Sequence, residues 1–344
     1  MLDYLLQYGL FLAETLTIVA AVAALILLVA ALASRRRGGA GHERLEVRDL
    51  GARYREMRQA LESGLLGAKE RKAAAKVRKR ESKAREKKGR ADRPRVFVLD
   101  FKGDIRASAV ASLREEVTAV LAFARPEDEV LVRLENAGGL VHEHGLAASQ
   151  LLRVRNRGIP LTVSVDKIAA SGGYMMACVA DRIVAAPFAV LGSIGVLAQM
   201  PNFHRLLDSH GVEFEQFKGG EYKRTVTMFG ENTDADREKF KQDIEDVHGI
   251  FKSFVTEQRP GLDIEKVATG EHWLARRARD LGLCDTLVTS DDYLLEANER
   301  AELVGVRFVA PKRLSARLAE SLAIFAGGAE DALRASAKDR RLSL

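Results

Sequence analysis

The chain has only two cysteines, Cys178 and Cys284, and they lie far apart. Neither falls in a metal-ligand spacing, and so distant a pair makes no disulfide framework, which excludes zinc-binding and disulfide-stapled classes. Both sit in apolar stretches and read as small buried hydrophobes. There is no phosphate-binding glycine loop and no cluster of His, Cys, Asp and Glu at ligand spacing. No cofactor and no metal is therefore expected. Across residues 45–90 Tyr54 is the sole aromatic. Basic nucleic-acid surfaces usually interleave aromatics for base stacking, so a nucleic-acid partner is not expected either.

Charge is equally uneven. The formal net charge is +6, yet residues 69–95 alone carry 14 Lys or Arg against 4 Asp or Glu. That run holds +10, and the rest of the chain sums to −4. The basicity belongs to one segment and says little about the remainder.

A third absence is of charge altogether. The 19 residues from Thr15 to Ala33, "TLTIVAAVAALILLVAALA", contain no ionisable side chain. A helix needs ~20 such residues to cross a bilayer. The apolar character begins upstream at Leu10 and Phe11 and is interrupted by Glu14. "ALA" before Ser34 mimics a signal-peptide cleavage site. The basic region that a signal peptide needs ahead of its apolar core is missing, however, and this core is too long. A short N-terminal segment, 1–9, followed by an uncleaved transmembrane anchor over 10–34 is expected, with the lipid bilayer as a partner. Arg35, Arg36 and Arg37 follow the anchor, while Asp3 and Glu14 precede or enter it. The positive-inside rule then predicts a single-pass inner-membrane protein with its domain in the cytoplasm. Residues 35–94 read as a basic helical linker, attracted to anionic lipid by about 1 kcal/mol per cation near the surface.

From Arg95 onward strands and helices alternate. "VFVLDF" (96–101), "VLVRLE" (130–135), "PLTVSVD" (160–166), "RIVAAP", "VLGSIGVLA" and "VEFEQFK" (212–218) read as strands. Residues 108–124, 142–156, 171–180 and 234–259 read as helices. Residues 182–200 are apolar enough to suggest a second span, but Pro187, Gly192, Gly195 and the β-branched content favour buried strands. The alternation predicts an α/β domain with a parallel sheet over residues 95–310. A helical tail over 311–344 follows, with Leu314, Leu318 and Leu322 at helical spacing.

In open α/β sheets, function collects at the carboxyl ends of strands. Three loops there are unusual. "ENAGGL" (135–140) offers paired glycines, whose backbone N–H groups can approach a substrate atom because no Cβ obstructs them. "AASGGY" (169–174) puts Ser171 where a strand meets a helix N-terminus, a place that favours a developing anion. Together they predict a nucleophile beside an oxyanion hole. A serine needs a base. His142 and His144 open a helix beside the first loop, and His204, His210, His248 and His272 are scattered further on, none with an acid at a telling spacing. Each reads equally as a surface or hydrogen-bonded histidine. The third loop, "KGGEYKR" (218–224), brings Lys218, Lys223 and Arg224 ahead of the apolar "TVTMFG". A lysine acts as base only when neutral. Lowering its pKa from about 10.4 to about 7 requires roughly 4.6 kcal/mol of differential destabilisation of the cation. Burial can supply a shift of that size. Composition alone leaves Lys218 and Lys223 as equal candidates.

Four blocks, "ASGGYMMACVADRIVAAP", "LGSIGV", "GEYKRTVTMFGENTDADREKF" and "GEHWLARRARDLGLCDTL", occur in an order that resembles the signal peptide peptidase A family of serine proteases. With the anchor, charged linker and single catalytic domain, the resemblance covers most of residues 1–300. It implies a Clp/crotonase-like layered α/β fold and a Ser–Lys dyad. By block correspondence the nucleophile falls on Ser171, the lysine on Lys223 rather than Lys218, and a supporting hydroxyl on Ser193. The oxyanion donors fall on Gly139 and Gly172. Ala137 stands where the family has a proline. The resemblance further implies a homo-oligomer whose neighbouring subunits complete the active site, acting on a peptide or small-protein substrate such as a remnant signal peptide. Two other readings share these residues. One is a non-catalytic membrane scaffold that binds hydrophobic segments. The other is an acyl-thioester enzyme on the same fold, for which neither a Ser–Lys pair nor an anchor is needed.

Overall fold

The computed structural model describes residues 7–19, 21–22, 43–87 and 93–309. The chain divides into two units, residues 1–44 with 309–344, and residues 45–308. In the first, residues 7–19 and 21–22 are helical (α1). Thr15 and Thr17 spend their hydroxyls on this helix's own backbone, each donating to the carbonyl four residues earlier at 2.7 Å. Most of the anchor expected over 10–34 lies outside the described residues, as does the tail expected over 311–344. Among the described residues no helix is long and apolar enough to cross a membrane.

The second unit is an α/β body around a seven-stranded sheet. Its strands are β1 (Arg44–Asp49), β2 (Arg95–Lys102), β3 (Glu129–Glu135), β4 (Leu161–Val165), β6 (Arg182–Ala185), β9 (Thr286–Leu287) and β10 (Glu302–Val309), ordered β1-β10-β2-β3-β4-β6-β9. Every pairing from β10 to β9 is parallel. Parallel strands need crossover connections, and helices supply them. They are α4 (Val110–Phe123), α5 (Val141–Arg155), α6 (Gly172–Ala177) and α11 (Ser290–Arg300). Successive side chains on a strand point to opposite faces. On β2, Phe97, Leu99 and Phe101 join the large core with Leu113 and Val117 of α4 and Leu151 of α5. The alternate residues Val96 and Val98 face Tyr293, Leu294 and Ala297 of α11 instead. Both faces are covered, which is why the central strands read as nearly continuous apolar runs.

A smaller sheet lies alongside. It joins β5 (Ile168–Ala170), β7 (Val190–Gly192) and β8 (His272–Leu274), with β5 and β7 parallel and β8 antiparallel to β7. The remaining helices are α2 (Leu50–Leu65), α3 (Ala68–Lys87), α7 (His204–Ser209), α8 (Asp234–Gln258), α9 (Ile264–Val267) and α10 (Ala275–Asp280).

Four sequence expectations change here. The segment expected to be linker contributes β1 as the sheet's outermost strand, and Leu50 and Tyr54 of α2 pack on the α11 core. Within the helical linker expected over 35–94, the helix is broken at Leu66 and Gly67. Residues 212–218 form no strand: every one is exposed and outside both sheets, so alternation there marks an apolar surface loop. Of residues 182–200, only Arg182–Ala185 and Val190–Gly192 are strands.

One buried charge tests the packing of α4 against the edge of the sheet. Glu116 is buried and accepts a hydrogen bond from Phe308 N–H at 2.8 Å. Burial raises its pKa above the ordinary 4.5, and the backbone bond only partly opposes this. The folded state therefore favours the protonated acid. The associated stability is full below pH 4.5 and is lost as pH rises through the elevated value. Glu116→Gln keeps the acceptor and removes the charge. Thermal melts at pH 4 should coincide for variant and parent, and at pH 8 the variant should melt higher. A variant that melts lower at pH 8 would contradict this account.

Candidate active site

The site is assembled where β3 and β5 end. Asn136, the residue after β3, bridges to Ala169 of β5: its N–H donates to Ile168 O at 2.9 Å, and its carbonyl accepts from Ala170 N–H at 3.0 Å. The strand that carries the glycine loop is thereby zipped to the strand that ends at Ser171. In the parallel register of β5 and β7, Ala170 lies opposite Gly192. The next residues, Ser171 and Ser193, therefore emerge side by side. Both hold a left-handed backbone with φ of 52°. For a non-glycine residue such a conformation costs on the order of 1–3 kcal/mol and persists only where surroundings enforce it. Here Ser171 N–H is fixed to Gly192 O at 2.8 Å and Ser193 N–H to Glu271 O at 2.6 Å.

Ser171 occupies the N-cap of α6. A serine in that position usually turns its hydroxyl back to accept a bond from the first turn. Ser171 makes no such bond. Its hydroxyl borders a narrow cleft lined by Gly139, Val141, Gly172, Gly195, Val196 and Phe251 among others. Neither Gly139 N–H nor Gly172 N–H has a backbone acceptor among the described residues. Both glycines are required by close approach. A Cβ on Gly139 would stand 2.1 Å from the carbonyl oxygen of Ile105, and one on Gly172 would stand 2.4 Å from the His144 ring. Ser171, Gly139 and Gly172, which the sequence nominates as nucleophile and oxyanion donors, thus line one cleft. Ser193 adjoins them.

Lys223 is differently placed. It is exposed, lies in the irregular 211–230 loop, and is absent from the lining of the Ser171 cleft. No hydrogen bond joins it to Ser171 among the described residues. Lys218 is exposed as well and reaches only the Arg224 carbonyl, at 3.5 Å. The loop is apolar at its surface, with Phe217 91%, Tyr222 61% and Phe229 42% exposed.

Among the described residues no histidine lines the Ser171 cleft or hydrogen-bonds to Ser171. His144 is fully buried, with Nδ1 2.9 Å from Leu140 O and Nε2 3.2 Å from Asn136 Oδ1. His142 lies 3.7 Å from Glu143, and His210 Nδ1 donates to Leu206 O at 2.8 Å. His248 of α8 keeps its Nε2 buried without a partner and does not line the cleft. Cys178 and Cys284 are buried, and desolvation raises their thiols to about 12 and about 11. At neutral pH they are protonated and poor nucleophiles. Among the described residues no three His, Cys, Asp or Glu side chains converge as metal ligands. A cavity of about 2050 Å³ lies elsewhere, lined by Met57, Leu61, Phe97 and Phe123 among others. It has no Ser, Cys or His in its lining, so the narrow cleft rather than the large cavity is the chemical site.

Asn136 was not singled out by the sequence reading, which assigned only the glycines of its loop. Its Oδ1 accepts from Gly138 N–H at 2.7 Å. An Asn two residues before a glycine N–H is a signal for this kind of turn. It stiffens the loop where Ala137 replaces the family's proline.

The class of protein is given by comparison with known families: it is a peptidase. Residues 3–151 match the model of the N-terminal domain of peptidase family S49, and residues 153–304 match that of peptidase family S49 itself. The chain belongs to this family, and within it resembles the SohB proteases. It is 48% identical over 323 residues to the probable protease SohB of Haemophilus influenzae, covering 91% of each chain. To the probable protease SohB of Buchnera aphidicola subsp. Schlechtendalia chinensis it is 44% identical over 305 residues, 86% of this chain and 99% of that one.

Gly139→Ala tests the cradle. The added methyl must displace the Ile105 carbonyl and with it the Gly139 N–H. Peptidase turnover should fall by about 10²–10³, the usual loss for one oxyanion donor, measured at a temperature at which circular dichroism shows the variant to be folded. Turnover within threefold of the parent would remove Gly139 from the site.

Proposed function

We propose that the chain is a membrane-anchored serine endopeptidase that cleaves peptide bonds in membrane-associated or remnant signal peptides or small proteins, through a Ser171–Lys223 dyad on a Clp/crotonase-like body. The observation that carries this reading is the Ser171 hydroxyl. It sits on a strained strand-to-helix turn, declines its capping bond, and faces two unengaged backbone N–H groups. Strain retained without a packing purpose is characteristic of reactive positions.

The chemistry follows from these parts. Ser171 Oγ attacks the scissile carbonyl carbon while neutral Lys223 Nζ takes its proton. The oxyanion forms between the N–H groups of Gly139 and Gly172. The lysine then hands its proton to the departing amine, and a water attacks the acyl-serine by the same route. Ser193, next to Ser171 in register, orients the lysine by accepting a hydrogen bond from it, the part a third member plays in other triads.

The exposed, apolar setting of Lys223, away from the Ser171 cleft, supports a homo-oligomer in which a neighbouring subunit's loop brings the lysine to the serine. Packing Phe217, Tyr222 and Phe229 against that neighbour would also provide the dry surroundings a neutral lysine needs. For localisation we take the inner membrane, with the anchor at 10–34 and the domain in the cytoplasm. The cationic surface of α3 supports proximity to anionic lipid.

Ser171→Ala and Lys223→Ala should each reduce turnover of a peptide substrate by at least about 10³-fold, as losses in nucleophile–base units do. Co-assembling the two inactive variants in equal amounts should restore roughly a quarter of the sites if serine and lysine come from different subunits of a cyclic assembly. Activity retained in either single variant would end the dyad, and no recovery on verified co-assembly would end its division between subunits.

A further inference from the structure

Asn136 is 1% exposed, and each of its polar groups is spent on the elements that form the cleft. Its backbone N–H and C=O hold β5, the strand leading into Ser171, through Ile168 and Ala170. Its Oδ1 takes the Gly138 N–H at 2.7 Å, and its Nδ2 faces Met176 Sδ of α6 at 3.7 Å. The neighbouring His144 ring is wedged between two oxygens, Leu140 O and Asn136 Oδ1. Whichever nitrogen carries the proton, at least one N–H···O bond clamps the ring. Its carbon atoms back Gly172 so closely that no Cβ fits between them.

These contacts separate two roles. The backbone bonds of Asn136 secure the strands and survive any substitution of its side chain. The side-chain oxygen secures Gly138 N–H, one residue ahead of the Gly139 N–H, and also meets the His144 ring at 3.2 Å. The Gly138 φ and ψ separate this amide from the next, but Leu140 N–H is held by Ile105 O at 2.9 Å on the far side, so the Gly139 amide is suspended between two fixed points and the Asn136 bond supplies one of them. Oxyanion stabilisation depends on donors held at 2.7–3.1 Å from where charge will develop, and a small misalignment weakens it steeply.

We propose that Asn136 is a positioning residue for the reaction: its side-chain oxygen, backed by the His144 ring, aims the Gly139 N–H at the oxyanion. The proposal rests on the reading of Ser171 as nucleophile and Gly139 as donor. It adds a side chain that touches no reacting atom but governs one that does.

The test uses the full-length chain and a fluorophosphonate probe, which reports reversible binding (KI) and covalent labelling of the serine (kinact) separately. Asn136→Leu keeps the volume and removes the acceptor, Asn136→Ala is the smaller alternative, and Asn136→Asp keeps an oxygen for Gly138 N–H. The expected result for the Leu and Ala variants is a 10- to 100-fold loss in kinact with KI within about threefold, less than the loss of a whole oxyanion donor. Asn136→Asp should recover kinact to within about tenfold of the parent. The proposal is overturned if a folded Leu or Ala variant labels at the parental rate, if the loss lies in KI, if Asp fares no better than Ala, or if neither Leu nor Ala folds. The last result would make Asn136 a residue of the fold. Failure of the underlying reading looks different: the parent chain is then unlabelled, or its label maps to a residue other than Ser171.

Discussion

The arrangement depends on one hydrogen bond between neighbouring strands of the small sheet, from Ser171 N–H to the Gly192 carbonyl at 2.8 Å. A serine left to itself would not hold φ at +52°. The pairing of Ala170 with Gly192 delivers it to the end of β5 already committed, and α6, buried along all six of its residues, cannot move to relieve it. Because the same register brings up Ser193, one local pairing sets the backbone turns of both serines.

The large sheet serves this pairing indirectly. β3 and β4 are locked by continuous parallel register and by apolar packing on both faces. At the end of β3 the chain passes from that rigid sheet to the small one through Asn136. The glycine loop and the serine turn therefore share a support that is stiff on one side and covalently continuous on the other. A fully buried aliphatic side chain in such a layer contributes about 1.5–3 kcal/mol. The strain stored at two serines is thus small beside the core that enforces it.

Much of this was legible in the sequence. The alternating texture gives the parallel α/β body, and the helices at 108–124, 142–156 and 234–259 appear within two residues of those limits. Paired glycines after a strand, and a serine ahead of another glycine pair, marked the 135–140 loop and Ser171, because close backbone approach tolerates no side chain and leaves that composition behind; the family resemblance narrowed the glycines to Gly139 and Gly172. Three things were not legible. β1 hides in a charged stretch because an outermost strand needs no apolar alternation on its exposed side. Residues 212–218 imitate a strand because alternating apolar side chains suit a sticky loop equally well. The role of Asn136 was missed because a buried amide has no periodic signature; only its tertiary partners reveal it. For the base, spacing left Lys218 and Lys223 equal, and a single chain separates them no further: both lie on the exposed loop.

The close contacts around the glycines divide the molecule by how freely it can vary. Where a methyl would collide with the Ile105 carbonyl or the His144 ring, almost no replacement is admissible, so the chemistry is frozen into main chain that substitution cannot retune. The open stretch from Leu197 to Phe229, crowded with exposed aromatic and aliphatic side chains, carries no such restriction. That stretch can exchange side chains while the backbone around Ser171 stays as it is, and Lys223 is the one position within it that the proposed chemistry would hold fixed.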